Sequence, residues 1–133
     1  MDRQAQIDLI LDHYENPRHY GPLPGATVVR KGSNPGCGDV VTFHLRVEPD
    51  GRIAAISFEG EGCTISQAAA SIVAEMLADM TLAEVEEMPP DAILDEIGHE
   101  IAGTRLRCVT LGLNTAKEAA KAARRNFRDS DDA

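Results

Sequence analysis

Three cysteines, far apart in the chain and set in unlike contexts, constrain the fold most: Asn34-Pro35-Gly36-Cys37-Gly38-Asp39, Gly60-Glu61-Gly62-Cys63 and Arg105-Leu106-Arg107-Cys108. Two of these thiols are wrapped in glycine, which lets backbone crowd a ligand or take positive φ; core filling requires neither. The pattern predicts a site assembled by folding. Asp39, two residues after the first thiol, adds a carboxylate. Three soft thiolates and one hard oxygen form a four-ligand set suited to zinc, or to iron on its way into a cluster. A fourth thiolate would describe a permanent structural knot, whereas a weaker oxygen ligand can be let go. The competing readings are plainer. A free cysteine is often a small buried hydrophobe, and Asp39 could simply cap a turn.

Length and charge narrow the class. At 133 residues the chain supports one domain with a single core, expected over residues 1–127, with a charged, disordered tail over 128–133. Three cysteines cannot complete a disulfide framework, and residues 1–10 lack the apolar core of a secretory segment. The cytosol, with thiolate or metal chemistry, is therefore the expected setting. No apolar run approaches the roughly 20 residues that span a bilayer. With 13 basic against 22 acidic residues, net −9, the chain repels phosphates, which argues against a nucleic-acid partner. The same charge favours a docking partner that presents a basic patch.

The chain reads as helix, then sheet, then helices, without repeat or linker. Ile7, Ile10, Leu11 and Tyr14 recur at helical spacing, and Asn16-Pro17 stops that helix. Residues 18–26 hold two prolines and two glycines and predict a loop. From Val40 to Val47 the chain alternates, with Val41, Phe43, Leu45 and Val47 on one face and Thr42, His44 and Arg46 on the other. Glu48-Pro49-Asp50-Gly51 predicts a turn, Ile53–Phe58 an antiparallel return, and a shorter strand near Thr27–Arg30 a third member. Thr64 with Gln67 reads as a capping box for a helix that buries Ile65, Ala69, Ile72, Val73, Met76 and Met80. Cys63 then lies just before a helix N-terminus, where the dipole favours thiolate. Thr81 with Glu84 starts a short helix that Pro89-Pro90 ends, and Asp91 can cap the next. The last helix carries Leu106, Val109, Leu113, Ala116, Ala120, Ala123 and Phe127 on one stripe, with Cys108 off it. Of the four histidines, none shows ligand spacing with another; His44 reads as strand surface and His99 as a helix residue. The acidic positions from Glu84 to Glu100 read as a solvated face.

Asp12-His13-Tyr14-Glu15-Asn16-Pro17-Arg18, Asn34 to Asp39, Gly60-Glu61-Gly62-Cys63-Thr64-Ile65-Ser66 and Arg105 to Cys108 together resemble the iron–sulfur scaffold family: IscU, SufU and the N-terminal domain of NifU. The resemblance runs from about residue 5 to residue 124 with all motifs in order. It implies an α+β fold, a small antiparallel sheet of about three strands with helices packed on it. It also implies a site of Cys37, Asp39, Cys63 and Cys108 that holds zinc as purified, or iron and a [2Fe–2S] cluster. Cys108 and Cys37 become the candidate acceptors of sulfur from a PLP-dependent cysteine desulfurase, and recipient apo-proteins or a carrier take the finished cluster.

Two departures bear on the branch. The IscU type has histidine before the third cysteine, where this chain has Arg107; its Leu-Pro-Pro-Val-Lys segment is replaced by Ile101-Ala102-Gly103-Thr104-Arg105. Both features are similar to SufU, and they make Arg105 and Arg107 the candidate docking residues for the desulfurase. Yet the stretch between Cys63 and Cys108 is too short to hold the SufU-type insertion. Three readings follow: a scaffold for cluster assembly, a zinc-bound sulfurtransferase that relays persulfide sulfur without holding a cluster, and an interaction module with structural zinc. None of the three is an enzyme that turns over a small substrate unaided.

Overall fold

The fold is described from a computed structural model for residues 2–34, 36 and 38–131, and for side chains other than those of Thr104 and residues 126–131. Helix α1 (Arg3–Glu15) leads into a loop and then strands β1 (Val28–Asn34), β2 (Asp39–Val47) and β3 (Ile53–Glu61). Helices α2 (Thr64–Leu77), α3 (Leu82–Glu87), α4 (Asp91–Ile97), α5 (His99–Ala102) and α6 (Leu106–Asp131) follow, with a 3₁₀ turn at Gly103–Arg105 before α6. The strands form one antiparallel sheet in the order β1-β2-β3. This is the expected α+β architecture, with β1 reaching further than the short strand expected near Thr27–Arg30.

Alternation in β2 decides which face meets the helices. Val41, Phe43 and Leu45 are fully buried, and the register sets Phe43 opposite Phe58 and Leu45 opposite Ile56. The Phe43 and Phe58 rings lie 6.0 Å apart, and truncating either to alanine costs about 3–5 kcal/mol. Glu48–Gly51 closes the β2–β3 hairpin, with Gly51 N–H donating to Glu48 O at 2.9 Å. Helix α2 is the central element: it packs against α1, α6 and β3. Ala68, Ala69, Ala70 and Ala74 have no exposed surface, so small side chains let neighbours close on several sides at once. No helix of the described residues is long and apolar enough to cross a membrane.

Several local expectations are corrected. The N-cap of α2 is Cys63, whose sulfur accepts the Ser66 N–H, and not Thr64; the helix ends at Leu77, short of Met80. A stripe was expected on α2, but a helix covered on several faces buries more than one. Asp91 is the first residue of α4 and makes no side-chain cap, whereas the Thr81–Glu84 capping box is present in full. His44 is buried, because β2 is the central strand and Val29 and Ser57 flank it on either side; its Nε2 lies 2.8 Å from Glu59 Oε1. In α6, Leu106 is 49% exposed while Cys108 is 1% exposed. Helix α6 packs against both α2 and the sheet, so a second buried row of Cys108, Gly112, Thr115 and Ala119 runs beside the expected stripe. Phe127 lies among the side chains outside the description. Helix α6 runs through Asp131. Asp132 and Ala133 lie outside the described residues.

On α1 the buried positions are Ile10 and His13, while Leu11 and Tyr14 are exposed. His13 Nδ1 is hydrogen-bonded to Ser71 Oγ at 2.8 Å, and the Arg18 N–H donates to the same hydroxyl at 2.8 Å. This pins α1 and the following loop to the middle of α2. Burial, seconded by the Arg18 charge, holds the His13 pKa below its ordinary 6.5 against the pull of Glu75, Asp12 and Glu96. The unfolded chain therefore binds a proton at His13 more readily than the folded one, and the stability tied to neutral His13 is complete above pH 6.5 and is lost as pH falls below it. We predict that urea-unfolding stability declines between pH 7 and about pH 5 and that His13→Gln flattens this decline; an equal decline in both proteins would remove His13 as its source.

Candidate metal centre

Three elements end at one place. Asp39 is the first residue of β2, paired across the hairpin with Asn34 of β1; Cys63 caps α2; Cys108 is the third residue of α6. One ligand atom from each of Asp39, Cys63 and Cys108 lies within 4.8 Å of the others. Cys37, between Asn34 and Asp39 in the sequence, lies outside the described residues. Asp39 and Cys108 are buried and Cys63 is partly so.

The Asp39 carboxylate organises the group. Its Oδ1 accepts the Cys63 N–H at 2.9 Å and the Ser66 hydroxyl at 3.2 Å, and its Oδ2 lies 4.0 Å from Cys63 Sγ. Burial works against the charge, but donors from the Cys63 backbone, the Cys108 thiol, Ser66 and the Cys63 thiol outweigh it and hold the carboxyl below its ordinary value. Asp39 is thus a carboxylate at neutral pH, aimed by the free N–H groups at the start of α2. Gly62, with φ +147°, permits this approach, since a Cβ there would stand 2.2 Å from Asp39 Oδ1.

These donors fit a thiophilic metal. A tetrahedral site with Zn–S bonds near 2.3 Å separates its sulfurs by about 3.8 Å, so the described atoms need contract by only about 1 Å. The metal would replace the thiol protons that now point at Asp39. Of the expected ligands, Asp39, Cys63 and Cys108 are brought together. His44 and His99 are not part of the group: His44 pairs with Glu59, and exposed His99 with Asp95. Arg105 and Arg107, both exposed, stand beside Cys108 in the chain without entering the described ligand group.

Two contributors escaped sequence reasoning. Ser66 is buried, and its hydroxyl, with one proton to share, lies 3.2 Å from Asp39 Oδ1 and 3.0 Å from the Cys63 carbonyl. Asn34 is also buried, and its Nδ2 faces Cys108 Sγ at 3.8 Å. The only prior signal was position: Ser66 one turn after Cys63, and Asn34 at the hairpin's start. Because such outer contacts orient ligands, Ser66→Ala should weaken zinc binding by about tenfold or more, measured by competition with a chelator. Affinity equal to wild type would show that the backbone N–H alone orients Asp39.

Comparisons agree with this geometry. The family described as NifU-like N terminal domain matches residues 5–129. The iron–sulfur cluster assembly scaffold protein IscU of Thermotoga maritima is 36% identical over 78% of this chain and 72% of its own length. The protein of the same name from Azotobacter vinelandii is 32% identical over 93% and 94% of the two chains. Among solved structures, a candidate SUF-system scaffold of Fervidobacterium islandicum superposes with TM-score 0.72 at 26% identity, covering 85% of this chain and 94% of that one. A NifU-like N-terminal protein of Brucella abortus reaches TM-score 0.77 at 18% identity over 93% and 99%, a likeness of fold.

Proposed function

The chain belongs to the NifU-like N-terminal domain family, and from that footing we propose that it is a cytosolic scaffold on which an iron–sulfur cluster is built and from which it is handed on. In this reading Cys37, Asp39, Cys63 and Cys108 hold the growing cluster, a PLP-dependent cysteine desulfurase supplies the sulfur, and recipient apo-proteins or a carrier remove the product. The observation that supports it most is the meeting of one carboxylate and two thiols at the joint of β2, α2 and α6.

The donor set suits a cargo rather than a resident cofactor. Cys37 or Cys108, as thiolate, attacks the outer sulfur of the donor's persulfide; a new S–S bond forms, the donor's S–S bond breaks, and the donor cysteine leaves as thiolate. Cys108 is closed to solvent at 1% exposure, so its turn requires the site to open on docking. Iron, sulfur and electrons from outside the protein complete a [2Fe–2S] unit on the thiolates and Asp39. A carboxylate is harder and less covalent toward iron than thiolate, which leaves one corner ready to exchange.

A zinc-bound sulfur relay draws support from Arg105 and Arg107, the two positions that set this chain apart from the IscU type. The deciding experiment is anaerobic purification followed by addition of ferric iron and sulfide. Scaffolding gives a coloured protein with visible absorption, whereas a relay stays colourless with zinc tightly held. Within the scaffold reading, Asp39→Ala should lengthen the cluster's lifetime in air and slow its transfer. That variant also strands the Cys63 and Ser66 donors, at a cost of about 1–3 kcal/mol, so its folding is checked alongside. Lifetimes equal to wild type would reduce Asp39 to a turn cap.

Arg105 and Arg107 are exposed cations beside Cys108 in a chain of net charge −9. Guanidinium forks grip carboxylates in bidentate fashion, and a positive neighbourhood favours thiolate at Cys108. The double variant Arg105→Ala, Arg107→Ala, with metal content unchanged, should lose about tenfold or more of its stimulation of the desulfurase at limiting concentration. Full stimulation would place the interface elsewhere.

A further inference from the structure

The outer edge of β3 is only partly used. Phe58 donates its N–H to His19 O at 2.9 Å, and its carbonyl accepts the Gly21 N–H at 2.9 Å. Both Phe58 groups therefore face away from β2, and in an antiparallel ladder this orientation recurs every second residue. The N–H and C=O of Gly60, opposite Val41, face the same outer edge. The covering segment bonds at Phe58, and among the described residues no backbone hydrogen bond from outside the sheet reaches Gly60. The edge is open at this point.

It opens into a groove of about 450 Å³. Tyr14, Tyr20 and Phe58 line it, with Glu61 and Gly62 at the end nearest Cys63. Tyr14 and Tyr20 are 46% and 56% exposed, unusual for rings with nothing to cover them, and Tyr20 stands edge-on to Phe58 at 5.3 Å. A Cβ at Gly60 would stand 2.7 Å from Gln67 Oε1, so glycine there leaves room for the Gln67 side chain that also lines the groove.

We propose that this groove receives an extended segment of the cysteine desulfurase, which adds to the β3 edge at Gly60 and lays its chain beside Cys63. The proposal deepens the scaffold reading and rests on it. Three observations choose the occupant. An open backbone donor and acceptor on a strand edge are met by extended peptide. Exposed Tyr14 and Tyr20 offer a face to an apolar side chain, while Glu61, the one acidic residue in the lining, within a chain of net charge −9, calls for a basic one. The groove is also continuous with Gly62-Cys63, so its occupant is a chain that has chemistry to do at the thiols. A sulfur donor must bring its own cysteine there on a mobile segment, and extended conformation is what such a segment can adopt.

The test is amide hydrogen exchange on the ¹⁵N-labelled full chain, with and without saturating desulfurase from the same organism. The Gly60 amide should exchange quickly in the free protein and at least about tenfold more slowly in the complex. The amides of Glu59 and Glu61, which face β2, should change little. Tyr14→Ala and Glu61→Lys should each weaken desulfurase binding by about tenfold, with folding verified by circular dichroism. Unchanged Gly60 exchange in a formed complex overturns the proposal, as does an absence of desulfurase binding, or protection given by an apo-recipient and not by the desulfurase. Cluster formation by the wild-type protein from ferric iron and inorganic sulfide needs no partner. It therefore reports on the scaffold reading separately.

Discussion

The hydrogen bond from the Cys63 N–H to the Asp39 carboxylate, 2.9 Å long, ties the first residue of β2 to the start of α2. A buried carboxylate is tolerable only when its charge is met, since an unmatched buried ion costs several kcal/mol. Here the backbone donor, the Ser66 hydroxyl and two thiols meet it. The two thiols among those donors belong to the cysteines proposed as ligands. The groups that let Asp39 be buried without metal are thus the groups a metal would recruit, and the site keeps its shape by trading protons for an ion. Gly62 and Ser66 serve the same end, one by making room and the other by filling a lone pair.

The sheet was legible because its signals are local. Val41, Phe43, Leu45 and Val47 alternate on the core face of a strand whose other face carries polar groups, and the Glu48–Gly51 turn can be closed by few other folds of the backbone. The Thr81–Glu84 box was readable for the same reason, being complete within four residues. The site was legible through its motifs and through the resemblance they carry, which brought Asp39, Cys63 and Cys108 into one set before any geometry was known. What stayed hidden depended on contacts between distant elements. His13 is a buried α1 residue because Ser71, fifty-eight residues on, offers a hydroxyl. His44 is buried because it sits in the middle strand. Cys108 is buried because α6 is covered by both α2 and the sheet, which widens its buried face beyond the one apolar stripe. Cys63 displaced Thr64 as cap because a sulfur can take the Ser66 N–H, a role that residue preferences for capping give to oxygen.

Helix α2 shows why the metal centre stands on firm ground. Its alanines bury without bulk, so α1, α6 and β3 can all close on it, and His13, Ser71 and Arg18 lock its middle to the loop that precedes the sheet. Cys63 is therefore the end of the most enclosed element, while Cys108 stands at the start of a helix entered through a glycine-bearing 3₁₀ turn. A scaffold needs this inequality. In the proposed reading, a ligand on a fixed frame defines where the cluster forms, and one entered through a turn can yield to an incoming chain.

Charge then arranges what may approach. The molecule is acidic, yet the chain beside Cys108 carries Arg105 and Arg107, and the chain beside Cys63 carries Glu61. A partner that presents acid to the first and base to the second can dock in one orientation and is repelled in the reverse, because like charges brought together at an interface cost several kcal/mol. Orientation matters more here than affinity. In the proposed reading sulfur arrives at a particular thiol and the finished cluster leaves by ligand exchange, so tight binding of either partner would slow the cycle. Weak contacts of opposite sign on either side of the site give direction without holding the complex shut.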